Sequence, residues 1–291
     1  MAVGNAVPPA GDHILVLSCP DRPGIVHAVY GFLAERGANI VESQQYGDPD
    51  TDRFFMRLGF TVERPTTADA LREAFAPVAE TFVMQFRLWD AAAPYRTLIM
   101  VSRQLHCLND LLFRTSSGSL QIEVPLVVSN HTDAERLCAS YDVPFLHLPV
   151  TPETKPAAEA VLLRLVEEHG IHLLVLARYM QVLSDDLCRT LSGQVMNIHH
   201  SFLPSFKGAK PYHQAYDRGV KQVGATAHYV TADLDEGPII EQDVLRVDHG
   251  YTRETLVSAG RDVEAQVLSR AVRWHSQSRV LLNGSRTVVF R

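Results

Sequence analysis

Three observations predict two α/β domains in series. Residues 13–36 change from a short apolar run to a helical period, elements in the order strand, helix, strand, strand, helix, strand follow up to residue 88, and strands then alternate with helices beyond residue 94. A chain of 291 residues suits one large or two medium domains with ample core. Hydrophobic residues at 46% and charged residues at 21% give a globular composition, which excludes a disordered chain. Twenty-seven Lys and Arg against thirty-three Asp and Glu leave a net charge of −6, which argues against a role in coating nucleic acid.

Residues 13–19 (HILVLSC) read as a buried strand and 20–24 (PDRPG) as a turn. Ile25, Val29, Phe32 and Leu33 recur at helical spacing, and Gly37 stands where a left-handed cap ends a helix over 25–36. Residues 39–46 are extended and 47–52 form a turn. Phe54, Met56, Leu58, Phe60 and Val62 then alternate as a half-buried strand with one apolar face. Ala70, Leu71, Ala74, Phe75 and Val78 share one face of a helix over 67–78, and 81–88 is extended again. This order is the split βαβ pattern, which closes as a ferredoxin-like βαββαβ domain over residues 11–89.

After the small-residue linker 91–94, a second domain spans 95–291. Strands at 96–101, 122–129 and 144–148 are each followed by a helix, at 105–113, 133–141 and 154–169, and 172–177 (HLLVLA) is a near-continuous apolar strand. Extended segments at 194–199, 225–230 and 238–247 precede a long helix over 252–275. The prediction is a mainly parallel, Rossmann-like sheet covered on both faces. Cys19, Cys107, Cys138 and Cys188 are scattered without a CxxC pair, and residues 1–13 have neither a basic nor a long apolar region. Every apolar run ends well before membrane-spanning length, so the expectation is a cytoplasmic chain with reduced thiols and no membrane partner.

In a parallel sheet, reactive groups collect beyond the carboxyl ends of strands. The densest polar cluster of this kind is 197–204 (NIHHSFLP), and a second strand, 226–231, opens into 232–238 (ADLDEGP). If these two strand ends are neighbours, an amide, an imidazole and a carboxylate converge, a set able to polarise a carbonyl, shuttle a proton and orient water.

The stretches NIHHSFLPSFKGAKPYHQA and GATAHYVTADLDEGPIIEQD resemble the signature of the folate-dependent formyltransferase family over roughly residues 95 to 291. PDRPGIV after the first strand resembles an ACT domain, a small regulatory module. Together the two halves resemble the deformylase branch, which hydrolyses 10-formyltetrahydrofolate and feeds one-carbon and purine metabolism. The resemblance implies Asn197, His199 and Asp235 as catalytic residues, with Asn197 donating to the formyl oxygen, His199 adding a donor or passing a proton to nitrogen, and Asp235 holding the water. It also implies Arg178, Met180, Gln181, Val182 and Leu183 as the pterin-binding segment, with Gly237 letting the Asp235 loop approach the ligand. Folate is then the substrate, and no cofactor is implied.

Several residues keep two readings. His200 lines the site or bonds within its loop, and His228 braces the Asp235 loop and substrate or is a satisfied core histidine. Lys207 and Lys210 attract the folate tail or are solvated cations, His213 stays unassigned, and no imidazole spacing demands a metal. The segment 102–108 (SRQLHCL) lacks the glycines with which a phosphate-cradling turn would hold a nucleotide acceptor, which points to water as nucleophile. His106 and Cys107 there read as helix-start packing or as a closure of the pocket. A transferase to an amine acceptor and a non-catalytic folate or amino-acid sensor are the alternatives. The first domain is expected to form a homo-oligomer interface, and either the turn at 20–24 receives a small amino-acid effector or the domain is a purely structural dimerisation module.

Overall fold

The computed structural model describes residues 11–205 and 211–291, which form two compact units. The first contains β1 (His13–Pro20), α1 (Ile25–Ala34), β2 (Ala38–Asp48), β3 (Arg53–Val62), α2 (Ala68–Phe82) and β4 (Gln85–Asp90). Its antiparallel sheet has the order β2-β3-β1-β4, as the split βαβ pattern predicts. Leu15, Leu17, Met56, Leu58 and Phe60 pack beneath Phe32 and Leu33 of α1 and Leu71 and Phe75 of α2. The rings of Phe32 and Phe75 meet edge to face at 5.0 Å.

Two expectations change here. The second helix does not stop at residue 78. It runs through Pro77 to Phe82 and ends where Val83 turns left-handed at φ 53°, so the final strand starts at Gln85 rather than at 81. Thr81, a β-branched residue, gives a strand-like signal, yet its hydroxyl donates to the Pro77 carbonyl within the last turn. The second change concerns β3, whose outer face is also covered: Ile14, Val16 and Phe55 pack against Leu281 and Phe290. Residues 278–283 and 288–291 therefore belong with the first unit, not with the domain assigned to 95–291. Arg57 on that face is fully buried and pairs with Glu42 at 2.6 Å, and Arg279 reaches the same carboxylate at 2.8 Å. Burial pushes the Glu42 carboxyl upward, but the two guanidiniums outweigh it and hold the group below its ordinary value.

The second unit contains β5 (Thr97–Val101), α3 (His106–Ser116), β6 (Val127–Ser129), α4 (Glu135–Ser140), β7 (Phe145–His147), α5 (Lys155–Glu168), β8 (Leu173–Leu176), α6 (Asp185–Thr190), β9 (Val195–His199), α7 (Pro211–Arg218), β10 (Gln222–Tyr229), β11 (Ile239–Arg246) and α8 (Arg253–Ser276). A small hairpin, β12 (Val280–Asn283) and β13 (Arg286–Val289), ends the chain. The sheet order is β11-β10-β9-β8-β5-β6-β7, with β7, β6, β5, β8 and β9 mutually parallel and β10 antiparallel to β9 and β11. Leu162 of α5 and Leu187 of α6 cover one face, and α8 lies along β9, β10 and β11 beside α3. β6 is only three residues because Pro125 removes a ladder donor from the apolar run before it.

The strand order reverses between β5 and β8, so crossovers leave a crevice at the carboxyl ends of β5, β8 and β9. The sequence clusters at 102–108, 178–183 and 197–204 all follow these strands. All four cysteines are buried and free. Among the described residues, no helix is long and apolar enough to cross a membrane.

Candidate active site

β9 and β10 are neighbours, but they run antiparallel with Asn197 opposite His228 and His199 opposite Thr226. The end of β10 therefore points away from the end of β9, and the loop after it must double back for Asp235 to reach the site. Two backbone features allow this. Asp235 adopts φ 57°, a left-handed conformation that Asp tolerates, and Gly237 passes so near the Tyr229 carbonyl that a β-carbon would sit 1.8 Å from its oxygen. The close approach at Gly237 is thus to the chain's own strand, not to a ligand, because the Tyr229 N–H bonds the Pro238 carbonyl there. Gly237→Ala is expected to destabilise the fold by about 1–3 kcal/mol and to displace Asp235, read as a lower Tm together with a lower kcat.

The doubled loop delivers Asp235 Oδ1 to 3.3 Å from His199 Nδ1 and 3.7 Å from His228 Nε2. His228 Nδ1 lies 2.9 Å from the Tyr229 carbonyl, an acceptor only, so Nδ1 carries the proton and Nε2 is left as an acceptor. Asn197 Nδ2 then donates to that Nε2 at 3.3 Å. Burial holds the His228 imidazole neutral by lowering its pKa, which preserves this arrangement. His228 therefore orients the Asn197 amide rather than bracing the loop alone. The Asp235 carboxyl is held below its ordinary value chiefly by the hydrogen bond from His199, against the opposing effect of burial. His199 Nε2 is buried and has no hydrogen-bond partner, an imidazole edge left open for something the site receives.

These groups open onto a cavity of about 540 Å³ whose opposite wall is the segment after β8, Arg178 to Leu183. Met180 and Val182 are 60% and 58% exposed, so neither is part of the core, and Leu234, which lines the same cavity, is 63% exposed. Three large apolar side chains around one mouth form a surface that a flat, partly apolar ligand would cover. Gln181 and His213 also line the cavity, and Leu183 is buried beneath it. His200 is on the wall, with its pKa pushed down to about 3, first by burial and then by the Arg178 charge. Lys207 and Lys210 fall outside the described residues.

A family model described as formyl transferase matches residues 95–272, and one described as ACT domain matches 13–76. A formyltetrahydrofolate deformylase from Corynebacterium sp. (strain P-1) is 56% identical over 280 residues, covering 96% of this chain and 98% of that relative. The crystal structure of a formyltetrahydrofolate deformylase from Pseudomonas syringae superposes with a TM-score of 0.93 at 49% identity, covering 96% of this chain and 94% of that one. The chain belongs to the formyltetrahydrofolate deformylase family. A glycinamide ribonucleotide transformylase from Symbiobacterium toebii shares only part of it, with a TM-score of 0.64 at 29% identity over 68% of this chain and 95% of its own.

In this deformylase-family chain, the turn after β5 is committed internally. The Ser102 hydroxyl donates to Asn130 at 2.7 Å and accepts from the Met180 N–H at 3.0 Å, which ties the turn to the segment after β8. His106 at the start of α3 meets Glu264 Oε2 at 2.9 Å, and Cys107 beside it is buried with its thiol pushed well up by burial. Glu264 is a site residue that the sequence reading missed. It is 1% exposed on α8, accepts from the Tyr212 hydroxyl at 2.9 Å, and lies 3.4 Å from Arg178 Nε. Burial alone would raise its carboxyl, yet His106, Arg178 and Tyr212 outweigh that and hold it low. Gly260, one turn earlier, makes room for the Tyr212 ring, since a β-carbon there would stand 2.2 Å from it. His106, Cys107 and Glu264 bring three ligand-type atoms within 4.8 Å of one another, but both oxygens of the carboxylate are already taken, Oε2 by His106 and Arg178 and Oε1 by Tyr212.

Proposed function

We propose that this protein hydrolyses 10-formyltetrahydrofolate to formate and tetrahydrofolate. The observation that carries the reading is the convergence of Asn197, His199 and Asp235 on one cavity whose far wall is the exposed segment Arg178–Leu183. The pterin lies against that segment, with Met180 and Val182 as apolar walls and backbone groups reading its edge. Water held by Asp235 attacks the formyl carbon, and the formyl oxygen, as it gains charge, accepts from the free N–H of Asn197 and from His199. As the bond from the formyl carbon to N10 breaks, N10 takes a proton delivered by His199. The water supplies one oxygen to formate, one proton to N10 and one proton to solvent. The two products return to one-carbon and purine metabolism in the cytoplasm, with no cofactor required.

A transferase reading needs a held amine and exclusion of water, since proximity to the acceptor supplies much of its rate. The bonds of the turn after β5 support the hydrolase instead, because the Ser102 N–H is given to the Arg178 carbonyl at 3.2 Å and the Ser102 and His106 side chains are given to Asn130 and Glu264 rather than left for an acceptor's phosphate. A non-catalytic folate or amino-acid regulator would not need the Asn197–His228 and Asp235–His199 geometry. With 10-formyltetrahydrofolate alone, purified protein is expected to release formate, and added glycinamide ribonucleotide is expected to leave the rate unchanged. Formate release only with the amine present, accompanied by its formylation, contradicts the hydrolase.

For the ACT unit we infer a subunit interface along its edge strand. β2 is an eleven-residue edge with Val41 and Tyr46 each 45% exposed, a length and polarity that invite pairing with a second copy. Gly24 begins α1 at φ 96° without a side-chain cap, so the N-terminal N–H groups of α1 suit the carboxylate of a small amino-acid effector. Val41→Lys with Tyr46→Lys is expected to lower the mass measured by light scattering. An unchanged mass contradicts the interface.

A further inference from the structure

The largest unmet hydrogen-bonding capacity beside the cavity belongs to Arg178. Its side chain is only 8% exposed, yet among the described residues its guanidinium makes no hydrogen bond. A guanidinium carries five N–H donors, and Nε is buried without a hydrogen-bond partner. The nearby acceptor, Glu264 Oε2, stands at 3.4 Å and already meets His106, while Oε1 meets Tyr212. Glu264 therefore balances the charge of Arg178 without saturating its donors. The residue also holds a left-handed backbone, φ 63°, at the end of β8, a conformation long side chains adopt rarely and that concentrates at functional positions.

Arg178 lines the same cavity as Asn197, His199 and Asp235, and so does His200: its ring centroid is 5.3 Å from that of His199, and Arg178 is the charge acting most strongly on it. His200 stays neutral there, so it does not compete for an anion. Such a group is the complement of a small planar carboxylate, which meets a guanidinium edge through two parallel N–H···O bonds. The hydrolysis assigned above makes one such anion next to the Asp235 carboxylate, which repels it.

Resting on that reading, we propose that Arg178 is the subsite for the formate product, receiving its two oxygens as the bond to N10 breaks and holding it apart from Asp235. A folate glutamate carboxylate shares this chemistry, and the test separates the two. Sodium formate is expected to inhibit the wild-type protein and to raise its Tm. In Arg178→Gln the formate inhibition constant is expected to rise at least about tenfold, the loss of one bidentate charged contact, with a smaller change in KM. Arg178→Lys, which keeps the charge and loses the fork, should fall between them, and circular dichroism reports the fold of both. Absence of formate inhibition and thermal shift in the wild type overturns the proposal. So does an unchanged formate constant in folded Arg178→Gln. If the substitution raises KM for 10-formyltetrahydrofolate and leaves 10-formyltetrahydropteroate, which lacks glutamate, unaffected, the glutamate is the ligand and the proposal fails. The thermal shift needs no turnover, so it reads the subsite even if formate release itself is not observed.

Discussion

Asp235→Asn is expected to lower kcat by about 10² to 10⁴ while leaving the Tm within a few degrees, since the amide keeps the size of the carboxylate but loses its charge. In the proposed mechanism the carboxylate has two tasks: it orients the attacking water, and it holds the His199 imidazole in place through the contact at 3.3 Å. Because the Asp235 carboxyl is held below its ordinary value of 3.8, it is a weak base that takes the water's proton only as the new carbon–oxygen bond forms. The sign of the pH dependence follows. A depressed carboxyl pKa means that the ionised, stabilising form is fully present above 3.8 and is lost only as pH falls through the lower folded value. Activity should therefore show no loss attributable to Asp235 between neutrality and about pH 5. An acid limb with a midpoint near 6 that disappears in Asp235→Asn contradicts this account.

Asn197→Ala is expected to lower kcat by about 10² to 10³, equivalent to roughly 2.7–4 kcal/mol of lost oxyanion stabilisation, with a smaller change in KM. The amide is held by the chain from the Tyr229 carbonyl through His228 to Asn197 Nδ2, which leaves its second N–H for a ligand in the cavity that Asn197 lines. That preorganisation makes a single neutral donor effective. His228→Gln, which disturbs the orientation but leaves Asn197 present, should reduce kcat less than Asn197→Ala does, and equal wild-type turnover in both folded variants would show that the formyl oxygen binds elsewhere.

Much of this was legible in the sequence for physical reasons. Residues 172–177 read as a buried parallel strand because β8 is covered on both faces, and the alternation of Phe54 to Val62 marked the helix-packed face of β3. The other face of β3 was not legible, since Arg57 looks solvated until Glu42 and the distant Arg279 are placed beside it. α6 was overlooked although Ser184 caps it and Asp185 and Asp186 fill its first turn, while α7 carries too few apolar residues for a period to show and the two strands of the final hairpin, four residues each, are too short for one. Asn197, His199 and Asp235 were singled out through ordered motifs after strands, and all three line one cavity. Their contact depends on the doubled loop at Gly237, which alternation along β10 cannot reveal. Glu264 had a signal that went unused: Leu256, Gly260, Glu264, Leu268 and Val272 stand at intervals of four on the buried face of α8, and an acid within an apolar stripe requires partners.

Water as the nucleophile is the central claim, and the isotopic composition of the released formate tests it most directly. Turnover of 10-formyltetrahydrofolate in ¹⁸O-labelled water, with no amine present, is expected to yield formate and tetrahydrofolate in equal amounts, each formate carrying one labelled oxygen. Unlabelled formate, or labelled formate formed at the uncatalysed rate while an added amine becomes formylated, would contradict the account.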